Sequence, residues 1–98
     1  MSQHIFETNN AQGAPVTVTM GYDRPLVYVF CTVLDPNDQV IYSNLDDVDA
    51  GTHQQDVDYY RSVLLKLGLH VPESMFREVK SDQLGRVGNR VKIHYADK

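Results

Sequence analysis

The hydrophobic period of this chain changes twice along its length, and that change constrains the fold more than any other feature. Val16-Thr17-Val18-Thr19-Met20-Gly21-Tyr22 alternates apolar with small or polar residues, the two-residue period of a strand with one buried face. Val57, Tyr60, Leu64 and Leu67 then fall at i, i+3, i+7 and i+10, which lays one apolar stripe along a helix. Near residue 87 the period returns to two, with Val91, Ile93 and Tyr95 alternating against Arg90, Lys92 and His94.

Local signals divide these regions into elements. His4 to Thr8 reads as a short strand, and residues 9–15 carry the Asn, Gly and Pro of a hairpin loop, so the first two strands pair antiparallel. Leu26 to Leu34 is apolar on both faces and β-branched, as a central strand is. Asp35-Pro36-Asn37-Asp38 supplies a turn, and Gln39 to Ser43 returns as strand four. Thr52-His53-Gln54-Gln55 has the form of a capping box, Gly68 suits a left-handed helix end, and Pro72 suits a helix start. The spacing thus predicts helices over Thr52–Gly68 and Pro72–Leu84. The expected fold is α+β: an antiparallel sheet of four to five strands in the order ββββααβ, with both helices on one face.

At 98 residues the chain has room for one hydrophobic core, so residues 1–98 are read as a single domain. Cys31 is the only cysteine and has no disulfide partner. With four His it gives no zinc-ligand spacing, so no metal and no cofactor is expected. The start of the chain lacks a basic and apolar leader, and the longest near-apolar run, Pro25 to Leu34, is about half a membrane span. These features indicate a cytoplasmic protein with no membrane partner.

The net charge of −4 is unevenly laid out. Residues 35–60 hold seven Asp and no Lys or Arg, whereas residues 61–98 hold eight bases against four acids. Such asymmetry is either solvated surface or a means of orienting a contact.

Four short pieces carry a resemblance: Gly21-Tyr22-Asp23-Arg24-Pro25-Leu26, Tyr42-Ser43-Asn44-Leu45-Asp46-Asp47, Leu67-Gly68-Leu69-His70-Val71-Pro72 and Val87-Gly88-Asn89-Arg90. Together they resemble a family of small uncharacterised bacterial proteins of about this length. The resemblance implies a bacterial cytoplasmic origin and carries over no catalytic or binding residue.

No catalytic residue emerges from the chain itself. Cys31 sits mid-strand, where a thiol behaves as a small hydrophobe. Asp46, Asp47 and Asp49 invite a calcium reading, but Gly51 falls fifth rather than sixth from Asp47 and the twelfth position is Asp58 in place of a bidentate Glu. Gly85 and Gly88 do not join a strand to a helix, so they form no phosphate loop.

Three functions from different classes fit what remains. The first is a non-enzymatic interaction module, acting on itself or on a protein partner. Here Leu26, Tyr28, Phe30 and Leu34 would face the helices, and Val27, Val29, Cys31 and Val33 would form an exposed contact patch. The second is a small-molecule binder or enzyme using Arg24, Tyr42, Asn44 and Asn89 around a cleft between sheet and loop, with Asp46 and Asp47 as further candidate binding residues. The third is nucleic-acid binding along a basic stripe of Arg86, Arg90, Lys92 and His94 on the outer face of the last strand, against which the acidic pI of about 5.4 weighs.

Overall fold

The computed structural model describes residues 2–10, 12–25, 28–47 and 57–95. Strands β1 (Ser2–Asn9), β2 (Pro15–Asp23), β3 (Tyr28–Leu34) and β4 (Val40–Ser43) come first, and a 3-10 turn at Asn44–Asp46 follows them. Helices α1 (Val57–Lys66) and α2 (Glu73–Gly85) lead to the last strand, β5 (Arg90–His94). The order ββββααβ is the expected one. The strands form one sheet in the order β4-β3-β2-β1-β5, antiparallel throughout except where β5 lies parallel to β1.

The turns are made by the residues that suit them. Asn10 Oδ1 accepts from the backbone N–H groups of Gln12 and Ala14 at 3.0 and 2.9 Å, closing the β1–β2 hairpin. Asp35 Oδ1 does the same for Asn37 and Gln39 at 2.9 Å each, while Asp38 takes the left-handed conformation. Helix α1 ends as Gly68 adopts φ +77°: the N–H of Gly68 bonds to the carbonyl of Leu65 and that of Leu69 to Leu64, which satisfies two orphan carbonyls. The capping box at Thr52–Gln55, and with it the expected start of this helix, lies outside the described residues. The second helix begins at Glu73, with Pro72 at its N-cap.

Both helices cover one face of the sheet. Val57, Tyr60 and Leu64 of α1 and Met75, Phe76 and Val79 of α2 pack on Phe6, Val16, Val18, Met20, Tyr22, Val29, Cys31 and Val33. The Tyr60 hydroxyl donates to the carbonyl of Val29 at 2.9 Å, so this phenol is buried without an unmet bond. None of the helices among the described residues is long and apolar enough to cross a membrane.

Two strands face the other way from the sequence expectation. Val29, Cys31 and Val33 are fully buried under the helices and form no exposed patch, while Tyr28, Phe30 and Leu34 lie on the uncovered face. Leu26 and Val27 lie outside the described residues. The reason is register: Val33 pairs with Val18, Cys31 with Met20 and Val29 with Tyr22, and paired residues share a face. Strand β2 has an unambiguous apolar side, so it sets the orientation of the two-sided β3, whatever the sizes of the β3 side chains.

Strand β5 is inverted in the same sense. Its apolar residues Val91 and Ile93 stand on the open face at 68% and 55% exposure, and its basic residues Arg90 and Lys92 turn toward α2. The expected basic outer face is therefore an inner, acid-paired one.

Candidate functional site

The polar side chains of the described residues converge most closely where β1, β5 and α2 meet. Glu78 and Asp82 are four residues apart on α2, which places both carboxylates on one helix face, and the inward side of β5 lies opposite them. Asp82 is 1% exposed. A carboxylate so buried needs donors, and it has three. His4 Nε2 donates to its Oδ2 at 2.6 Å, Arg90 Nη1 donates to its Oδ1 at 2.8 Å, and the Ser2 hydroxyl also bonds to it. Burial acts to raise the pKa of Asp82, but the hydrogen bonds from His4 and Ser2 outweigh it and hold the carboxyl below its ordinary range.

Arg90 forks across both carboxylates, its Nη2 reaching Glu78 Oε1 at 3.0 Å. Lys92 Nζ donates to the same oxygen at 2.6 Å. That bond chiefly depresses the Glu78 pKa and keeps the group ionised. His94 stands between His4 and Glu78. Its Nε2 lies 2.8 Å from His4 Nδ1, and its Nδ1 lies 3.6 Å from Glu78 Oε2. Two facing ring nitrogens at 2.8 Å hold one proton between them, since two N–H groups cannot point at each other. Burial first, and then the nearby His4, push the His94 pKa down and favour its neutral form. The result is a hydrogen-bonded chain from Asp82 through His4 to His94, with Glu78 3.6 Å beyond it and both imidazoles buried.

The residues singled out in the sequence do not gather into one cleft. Arg24 is exposed at the end of β2 and lies beside Gly88, near the exposed Asn89. Asn44 is buried on the far side of the sheet, where its Oδ1 accepts from the Cys31 backbone N–H at 3.1 Å. Its Nδ2 has no hydrogen-bond partner among the described residues. Asp46 is exposed in the 3-10 turn. Asp47 is a structural anchor: the hydroxyls of Tyr42 and Tyr59 both donate to its Oδ2 at 2.7 Å, tying the turn to β4 and α1. A hollow of about 390 Å3 lies there, lined by Val40, Ile41, Tyr42, Ser43, Asp46 and Asp47. Arg90 and Lys92 are neutralised by Glu78 and Asp82, and Arg86 sits at the end of α2 in the left-handed region, off the strand. The three bases therefore form no phosphate-tracking stripe. Burial raises the Cys31 thiol pKa to about 12, which removes it as a nucleophile near neutral pH.

His4, Glu78 and Asp82 were not singled out as site residues from the sequence, and His94 only within the basic stripe. The one local signal was the four-residue spacing of Glu78 and Asp82; nothing local joins His4 to His94, 90 positions away. No family model, curated protein or solved structure matches the chain.

Proposed function

We propose that the protein is a small non-enzymatic interaction module of a bacterial cytoplasm, and that it works by self-association through the open face of its sheet. The observation that carries this reading is the composition of that face. By alternation and register it comprises Gln3, Ile5 and Glu7 of β1, Thr17, Thr19, Gly21 and Asp23 of β2, Tyr28, Phe30, Thr32 and Leu34 of β3, Val40 and Ser43 of β4, and Val91 and Ile93 of β5. No Lys or Arg is among them. The cores of contact surfaces are depleted of charge.

The apolar side chains stand well into solvent: Ile93 is 55% exposed, Val40 56% and Val91 68%. Five strands about 4.8 Å apart, with residues rising about 3.3 Å each, make a face on the order of 20 Å in each direction. That is the scale of a standard interface, about 800 Å2 of accessible surface on each partner. A second copy offers the same surface, free of Lys and Arg, and two sheets pack face to face about 10 Å apart.

The test compares two lysine substitutions by light scattering. Ile93→Lys places a charge on the open face and is expected to reduce the mass to the 11.1 kDa monomer while circular dichroism stays native. Leu84→Lys, on an exposed α2 position, is expected to leave association unchanged. Association that survives Ile93→Lys overturns the reading.

A further inference from the structure

We propose that His4, His94 and Glu78 form a binding site for a divalent transition metal ion of the zinc class, with Asp82 positioning His4 as a ligand. One donor atom from each of the three residues lies within 4.8 Å of the other two. Two imidazole nitrogens and one carboxylate oxygen make up a ligand set that zinc and its neighbours accept, whereas calcium and magnesium require oxygen.

The roles of the individual atoms follow from the hydrogen bonds. His4 Nε2 is committed to Asp82 at 2.6 Å, which leaves Nδ1 as its ligand atom. This is the arrangement in which a carboxylate behind a histidine fixes the ring and raises its basicity. The His94 atom facing Nδ1 is Nε2, at 2.8 Å. Arg90 and Lys92 both occupy Glu78 Oε1, which leaves Oε2 as its ligand atom; Oε2 lies 3.6 Å from His94 Nδ1, the nitrogen away from His4, so it must swing round the ring edge to meet an ion held by Nε2. Metal–nitrogen bonds of about 2.0–2.1 Å in a tetrahedral site separate two donors by about 3.3 Å. The two rings need to part by only about half an ångström. The larger movement falls to Glu78, the least buried of the three and a residue with free side-chain torsions.

Competing charges are accounted for. Around the site stand Asp82 and Glu78 from α2 and Arg90 and Lys92 from β5, two acids against two bases, so the surroundings do not oppose a cation by their net charge. Three protein ligands leave one coordination position. His94 also borders a hollow of about 360 Å3 lined with Glu7, Ile93 and Tyr95. Because the hydrogen bond between the two histidines closes the site without metal, the ion adds stability to an already folded chain and ties β1, β5 and α2 together.

The test is titration of untagged protein near neutral pH with ZnCl2 by calorimetry and with CoCl2 by visible absorption. The expected result is one ion per chain, with cobalt giving the intense bands of a four- or five-coordinate site. His94→Gln and His4→Gln should each weaken zinc binding at least about 100-fold and Glu78→Gln about 10-fold or more, with His70→Gln, on an exposed histidine, unchanged. Zinc binding that survives His94→Gln, or no uptake by the wild-type chain, overturns the proposal. Should the histidine variants not fold, the wild-type cobalt spectrum decides alone: only the weak bands of the hydrated six-coordinate ion would refute the site.

Discussion

Asp82→Ala should be among the most damaging single substitutions in the protein, although it removes only a small polar group. The carboxylate is 1% exposed and accepts bonds from His4, Arg90 and Ser2, which belong to the two strands that α2 covers at this end of the sheet. A hydrogen bond to a charged group contributes about 1.5–3 kcal/mol, and removing one member of a buried ionic group costs about 3–5 kcal/mol, because its partners stay buried without an acceptor. Arg90 is 38% exposed and keeps Glu78, so much of its share is recovered by water and by that second acid. The low end, about 3 kcal/mol, is therefore expected. In a domain of this size that lowers the melting temperature by roughly 12–24 °C. Urea titration measures it as a shift in midpoint at constant slope. The control is Glu73→Ala on the same helix, whose exposed carboxylate pairs with Arg61 and contributes under about 1 kcal/mol. Equal midpoints for the two variants would refute the claim that this polar cluster holds β5 and β1 to α2.

Gly21→Ala should destabilise the sheet strongly, by more than about 2 kcal/mol in urea, because a Cβ there would collide with the backbone oxygen of Ser2 at 1.9 Å and crowd the Phe30 ring at 3.0 Å; a midpoint unchanged from wild type contradicts this approach of β1 to β2. Cys31 should react with a thiol reagent only after unfolding, since its pKa is raised to about 12 and it is fully buried; rapid labelling of the native protein contradicts it. In chelator, the melting temperature should fall as the pH drops below 6.5, the ordinary histidine value. The folded His94 pKa lies beneath that value, so the unfolded chain binds more protons in this window. Glu78 and Asp82, with lowered pKa values, add a second loss below their ordinary values of 4.5 and 3.8. A melting temperature that rises on acidification through 6.5 reverses the sign and contradicts the account.

What the sequence disclosed was whatever is decided locally. The Asn10 and Asp35 turns, the left-handed Gly68 and the alternation of β2 each depend on residues a few positions apart, and each appears in the structure where the pattern put it. The direction in which a strand faces is a different matter. In β3 both sides are apolar, so the pairing with β2 chose the side, and Val29 and Val33 went inward. In β5 the alternation was read correctly but its sense was not, because the deciding interaction is non-local: buried Asp82 and half-buried Glu78 require Arg90 and Lys92, and that need outweighs covering Val91 and Ile93. The His4–His94 contact was hidden for the same reason, since it exists only because β5 crosses the helix layer to lie parallel to β1.

The proposal that the uncovered sheet face joins two copies of the chain is tested most directly by sedimentation equilibrium of the wild-type protein from low to high micromolar concentration. The account predicts a mass that rises with concentration from 11.1 kDa toward twice that value. A mass that stays at 11.1 kDa across the range would contradict it.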